Sequence, residues 1–332
     1  MSGELAPMVE ELRNADKFLL TTHQNPDGDA LGSLLGMNEV LRALGKDTVM
    51  FLAADQFPMP DDLDWMPLDD LVSELPSDIA DRVVVFLDCG NIDRMPIEEL
   101  KTGGKRILDI DHHHDNTHFG DVNLVIADAS STAEIVFHLA EELGVAITAE
   151  MAEPLYVGLM TDTGRFMYEN TSSESHRVAA KMLEAGVDVP RVYRNLFEGM
   201  PVNRLLLLGR ALANMERHEE VSLTLTHLDR ADFEDTDTGE GDSEGVVDYF
   251  RAVENTAVGA LVRARLTEGD ENSSKVSLRA TDERVDVSII AREFGGGGHR
   301  QAAGFFTDLS LEDLVEQLRS HIGAQLGVHA GA

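Results

Sequence analysis

The chain has 332 residues, 43% of them hydrophobic, and 61 acidic against 27 basic side chains give it a formal net charge of −34. At roughly 100–200 residues per domain that length predicts two domains, and regularly spaced apolar runs exclude a disordered chain despite the charge. A single cysteine, Cys89, excludes an intramolecular disulfide and any cysteine-rich zinc module.

No apolar run approaches the roughly 18 residues of a membrane span. The acidic start MSGELAPMVEELRNADK lacks the basic and apolar regions of an export signal. A cytoplasmic protein without a membrane partner is therefore expected. Only 6 of the basic residues are lysine and 21 are arginine. Lysine depletion under a heavy excess of Asp and Glu predicts a salt-in halophile, an archaeon by expectation. In molar salt the Debye length is about 3 Å, so dense surface carboxylates repel each other little. The acidity then says little against a polyanionic substrate.

In chain order, a helical opening leads to the apolar strand Lys17–His23, a turn Gln24–Asp29, and a periodic helix Ala30–Leu44 closed by Gly45. Strands follow at Asp47–Ala53, Asp81–Asp88, Lys105–Asp111 and Val122–Ile126, with helices Ser131–Leu143 and Ala149–Leu159. This alternation predicts an α/β domain, a mostly parallel sheet with helices on both faces. Ser175–Arg217 reads as all helical, with Pro201–Arg217 as a connecting helix. The texture then changes to strands at Val221–His227, Thr256–Leu266 and Lys275–Ala280, predicting a smaller C-terminal α+β domain. The acidic run Asp235–Glu244 reads as a solvated loop. The expected division is a catalytic domain 1–195, a helical connector 196–218 and a second domain 219–332.

Several elements end in a metal-capable residue: His23-x-x-x-Asp27-x-Asp29, Asp88, Asp111-His112-His113, and Asp162 in Thr161-Asp-Thr-Gly164. In an open α/β sheet the carboxyl ends of the strands form the ligand crevice, so these groups can converge. Histidine with several aspartates suits Mn²⁺ or Mg²⁺ better than zinc. Taken singly, Asp29 reads as a helix cap and Cys89 as a small buried side chain. The ordered set carries the chemistry.

That order, HxxxDxD…D…DHH…TDTG, resembles the DHH phosphoesterase superfamily. The run Gly295-Gly-Gly-Gly298-His299-Arg300-Gln-Ala-Ala-Gly304 resembles the glycine-rich signature of the DHH-associated C-terminal domain. The text from about Phe18 to Phe305 is similar to NrnA-type oligoribonucleases, also described as nano-RNase/pAp phosphatases. The resemblance implies two divalent ions, Mn²⁺ with Mg²⁺ or Co²⁺ as alternatives. His23, Asp27 and Asp88 would hold one, and Asp29, Asp88, His112 and Asp162 the other. A pair of ions sharing Asp88 at about 3.5–4 Å could activate water and clamp a phosphoryl centre. It further implies that His113 contacts the scissile phosphate, that Asp111 orients the histidines, and that Arg279, Gly296, Gly297, Gly298 and His299 bind substrate. The catalytic set is then Asp88, His113 and Asp111.

The expected activity is hydrolysis of short single-stranded 5′-phosphorylated oligonucleotides or pAp, with the second domain closing over the site, and a homodimer as one possible assembly. A RecJ-like single-strand exonuclease is the alternative enzyme. A catalytically silent nucleotide-binding partner is the alternative of another class.

Overall fold

The computed structural model describes residues 2–328 apart from 61, 96, 268 and 270–272. Contacts divide the chain into two compact units, Met1–Gly199 and Met200–Ala332.

In the first unit α1 (Ser2–Asn14), β1 (Lys17–Thr22), α2 (Gly28–Ala43), β2 (Asp47–Phe51), β3 (Leu71–Val72), β4 (Val83–Leu87), α3 (Glu98–Thr102), β5 (Arg106–Asp111) and β6 (Val122–Val125) precede α4 (Thr132–Leu143), α5 (Ala149–Asp162), α6 (Ser173–Glu184) and α7 (Val189–Phe197). The six strands form one sheet in the order β3-β2-β1-β4-β5-β6, every pair parallel. Continuous apolar runs make these strands, because a parallel sheet is covered on both faces. Alternation divides each run between two cores. Phe18, Leu20, Val83, Val85 and Leu87 pack with α1, α2, α4 and α5, while Leu19, Val84 and Phe86 pack beneath α3 and short 3₁₀ turns. The helical cover is thus heavy on one face and thin on the other.

Helices α2 and α5 cross closely. A Cβ on Gly32 would lie 2.3 Å from the Pro154 carbonyl oxygen, and one on Gly158 would lie 2.7 Å from an Asp29 carboxylate oxygen. Only glycine permits that approach, which brings the start of α2 beside the end of α5.

The second unit contains α8 (Val202–Ala213), β7 (Glu216–His218), β8 (Leu223–Leu228), α9 (Arg230–Thr236), α10 (Val246–Arg251), β9 (Val258–Ala264), β10 (Ser274–Ala280), α11 (Val287–Glu293), β11 (Gly297–His299), β12 (Ala302–Thr307) and α12 (Leu311–Leu326). Its mixed sheet runs β11-β12-β10-β9-β8-β7, with β8 and β9 parallel and the other pairs antiparallel. One face packs on α11 and α12; α8, α9 and α10 cover part of the other through Leu228 and Leu261. The fold class is that expected, an α/β unit followed by an α+β unit.

Two local readings change. The expected helical run to Arg217 ends earlier: α8 stops at Ala213, and Glu216–His218 form an edge strand against β8. The acidic run Asp235–Glu244 is not a free loop. Its first residues finish α9, Glu240–Ser243 form a 3₁₀ turn, and Thr236 and Ser243 are buried. Glu240 anchors the run, accepting from the Leu266 N–H at 2.7 Å and from Arg263. An acidic stretch can fold back wherever one buried arginine awaits it.

Candidate active site

Every strand that borders the sheet centre delivers a polar side chain at its carboxyl end. After β1, His23 is buried, and its Nδ1–H donates to the Gln24 carbonyl at 2.8 Å. That bond orients the ring and turns Nε2 toward Asp88, the nitrogen through which a neutral imidazole held this way would bind a metal. Nε2 lies 3.6 Å from Asp88 Oδ2. Asp27 is the N-cap of α2, one oxygen accepting from the Asp29 and Ala30 N–H groups. The capping role read for Asp29 belongs to Asp27. Asp29 sits in the first turn of α2 and reaches across to the N-terminus of α4, accepting from Thr132 N–H at 2.6 Å and Ala133 N–H at 2.9 Å.

Asp88 follows β4 with φ +58, a left-handed conformation that is strained for a non-glycine residue. Its backbone N–H donates to Ile110 O, and Thr132 Oγ1 donates to its Oδ1 at 2.9 Å. Around it stand His112 Nε2 at 3.5 Å and His113 Nδ1 at 3.7 Å from Oδ1. His112 Nε2 also lies 3.9 Å from Asp29 and 3.6 Å from Asp162 Oδ2. Two of the clusters are His23/Asp27/Asp88 and Asp29/His112/Asp162, each with ligand atoms within 4.8 Å of one another; a third joins Asp88, His112 and His113. Asp88 belongs to two of them, and His112 joins the third to these.

The electrostatics suit a cation. Burial, then the charges of Asp88, Asp162 and Asp27, push the Asp29 carboxyl well above its ordinary value. Burial likewise raises Asp162 to about 6, with Asp88 and Asp27 adding to it against His112. Burial acts upward on Asp88 too, but His23, His112 and His113 together hold it at about 2. None of these carboxylates has a lysine or arginine partner among the described residues. Crowded carboxylates with no lysine or arginine partner among the described residues are what a divalent ion would stabilise, and the imidazole and carboxylate donors fit manganese or magnesium.

His113 is held from behind. Its Nδ1–H donates to Asp111 Oδ1 at 2.7 Å, and that bond raises its pKa to about 9. Asn116 Nδ2 bridges two buried carboxylates, donating to Asp111 Oδ2 at 2.6 Å and Asp109 Oδ2 at 2.9 Å. Burial raises Asp109 to about 7. Sequence reasoning missed Asn116, and with it Asn170, whose side chain donates to the Asp162 carbonyl and carboxylate. Asparagines just beyond DHH and TDTG were the available signal, but single asparagines in turns read as turn formers. His114 is exposed, and Cys89 is buried with its thiol pushed up to about 12 by burial. Arg165 lies over the Phe197 ring, and Phe166 stacks on His176.

In the second unit Arg279 is on β10, half-buried, its Nη1 donating to Leu278 O. Gly297, Gly298 and His299 form β11, with His299 exposed. Gly296 donates its N–H to Ala291 O at 2.8 Å, so that donor is already used; its contribution is close approach, since a Cβ there would lie 2.2 Å from Gly304 O. Gly298, at φ +139, needs glycine's freedom as well.

The model of the DHH family N-terminal domain matches residues 17–159, and that of the DHHA1 domain matches residues 225–326. The chain belongs to the DHH family. Along 92% of its length and 89% of the relative's it is 34% identical to the bifunctional oligoribonuclease and PAP phosphatase NrnA of Thermus thermophilus. An exopolyphosphatase-related protein of Bacteroides fragilis has a similar structure, with TM-score 0.84 and 29% identity over 98% of this chain and 96% of that one. RecJ of Thermus thermophilus in complex with Mn²⁺ shares the fold alone, with TM-score 0.54 and 15% identity; the match covers 98% of this chain and 54% of RecJ. Among the described residues no helix is long and apolar enough to cross a membrane.

Proposed function

We propose that this chain is a metal-dependent phosphoesterase that hydrolyses short 5′-phosphorylated oligoribonucleotides and pAp. The observation that carries the reading is the convergence of His23, Asp27, Asp29, Asp88, His112 and Asp162 at the strand ends, crowded and without a lysine or arginine partner among the described residues. The similarity to NrnA over nearly the whole chain supports the substrate class.

His23, Asp27 and Asp88 would hold one divalent ion, and Asp29, Asp88, His112 and Asp162 a second, with Mn²⁺ the favoured ion. Such ions, when bound, supply Lewis-acid activation of water and neutralise charge on the phosphate. The protein's own groups prepare the site. The α4 N–H groups fix both oxygens of Asp29, and Thr132 holds Asp88. His113, kept protonated by Asp111, presents a cation to the negative charge that develops on phosphate oxygens. In the second unit Arg279 and His299 would bind a substrate phosphate, with Gly296–Gly298 allowing the backbone to approach it. The lysine-poor acidic composition supports an enzyme working in the cytoplasm of a salt-adapted cell, and a homodimer is the proposed assembly.

Release of phosphate and nucleotides in about 2 M KCl with Mn²⁺ tests the reading. Rates that fall steeply from di- and pentanucleotides to a twenty-nucleotide strand, with pAp also cleaved and Asp88→Ala inactive, are expected. Equal cleavage of the long strand would favour a RecJ-like exonuclease. Tight nucleotide binding without any turnover would favour a silent binding partner.

A further inference from the structure

Strand alternation puts Val276, Leu278 and Ala280 of β10 in the core and Lys275, Ser277 and Arg279 on the opposite, partly open face. Across that face the register sets Lys275 directly opposite Arg263 of β9 on one side and Phe306 of β12 on the other. The segment Ser243–Val247, leading into α10, walls a cavity of about 180 Å³ lined by Leu261, Arg263, Lys275, Ser277 and Arg279, with Glu244 on its wall. A water takes about 30 Å³, so the space is ample for a phosphate group.

Two features single out the Lys275 end of this cavity. Like charges directly opposite on neighbouring strands cost stability, yet Lys275 and Arg263 form such a pair. Arg263 is 8% exposed and committed to Glu240, whereas the Lys275 ammonium has no carboxylate partner among the described residues. A lysine without a carboxylate partner among the described residues, set beside a buried arginine, is unexpected in a chain of charge −34 unless an anion comes to it. Next to it Phe306 is 54% exposed, with the Arg265 guanidinium 4.8 Å from its ring centre. An exposed aromatic flanked by cations is a surface on which a base can stack.

At about 3.3 Å per residue, Lys275 stands roughly 13 Å along the strand from Arg279, the reach of two extended internucleotide steps. We propose that Lys275, with Ser277 and Arg263 beside it, forms a second phosphate subsite for a single-stranded oligonucleotide, and that Phe306 carries one of its bases. The inference rests on the phosphoesterase reading, in which Arg279 takes the first phosphate, and deepens it by setting a length preference. Oligonucleotides of three or more residues reach Lys275; a dinucleotide does not.

The test is binding of 5′-phosphorylated di- and pentaribonucleotides to the metal-free full-length protein by fluorescence anisotropy, with KM measured for the same pair. Lys275→Gln is expected to weaken the pentanucleotide about tenfold relative to the dinucleotide, the loss of one charge-assisted phosphate contact. Lys275→Arg should restore it, and Phe306→Ala should cost the pentanucleotide about tenfold through the lost stacking. Because Lys275→Gln relieves a like-charge pair, its Tm should not fall below the parent's, so lost binding will not mean lost fold. Equal weakening at both lengths, or an unchanged pentanucleotide, overturns the subsite. Length-selective binding that depends on Lys275 in a protein that hydrolyses neither strand supports the subsite and overturns the phosphoesterase reading instead.

Discussion

The two ends of the parallel sheet treat their carboxylates in opposite ways. At the amino end, Asp47 and Asp78 close on the buried Arg82: its guanidinium donates to Asp78 at 2.8 and 3.2 Å, to Asp47 at 3.0 and 3.2 Å, and to the Phe18 carbonyl at 3.1 Å. Lys17 adds a bond to Asp78 at 2.8 Å. At the carboxyl end Asp29 and Asp88 are buried and Asp162 is half-buried, with histidines and neutral donors but no lysine or arginine beside them among the described residues, and Asp29 and Asp162 are pushed up rather than down. Where the carboxylates are structural, the chain supplies its own cations. Where it leaves them out, a cation from solution can complete the site.

The largest way to break this contrast is Asp88→Ala, which removes the carboxylate shared by two of the three clusters. A loss of several kcal/mol of transition-state stabilisation corresponds to at least about 10³-fold in kcat, checked by initial rates on pAp and a dinucleotide. Asn116→Ala acts one step further back. It leaves all the proposed metal donors in place but frees Asp111 and His113, and groups that orient such sites typically cost about 10–100-fold. The expected result is a fall in kcat with KM nearly constant; a change in KM alone would place Asn116 in substrate binding instead.

Asp162→Asn sharpens the contrast from the stability side. In the metal-free protein it removes one of several crowded anions, so its Tm should equal or exceed the parent's. Mn²⁺ at about 100 times its Kd should stabilise the parent by about 2.7 kcal/mol, and the variant should lose most of that shift. Scanning calorimetry with and without the ion checks both halves. An Asp162→Asn protein that melts lower without metal, and still responds fully to it, would show that Asp162 is structural.

The sheet and its site were legible because buried parallel strands are continuous apolar runs and because His23, Asp88 and Asp111 mark where those runs stop. The proposed ligand groups were legible as an ordered series, each member weak alone. What was hidden depends on pairing across the fold. Asp27 caps α2 because the helix begins at Gly28, whereas the bonds from Asp29 to the start of α4 join segments a hundred residues apart, and no local pattern fixes them. Asn116 and Asn170 look like turn residues until their partners are in place. The acidic run Asp235–Glu244 reads as solvated because its buried partner Arg263 lies beyond it on β9. The Lys275–Arg263 pair is invisible until strand register sets the two side by side.

The smallest expected effect concerns the structural end. Asp78 is held at about 2, first by its hydrogen bonds to Arg82 and then by the one from Lys17. A carboxyl whose folded pKa lies below its unfolded value of about 3.9 contributes stability that is fully present above that value. The contribution is lost as pH falls through about 4 toward 2, because the folded form must finally take up the proton it resists. Asp78→Asn removes the contribution at every pH. The variant should therefore melt modestly below the parent at neutral pH, and the gap between the two Tm curves should close between about pH 4 and pH 2. Because Asp78 is partly exposed, screening by salt should narrow the gap at neutral pH as KCl rises. A gap that instead persists unchanged at pH 2 would mean that the bonds to Arg82 matter for shape alone, and that the sheet's two ends differ less in electrostatics than their pKa shifts imply.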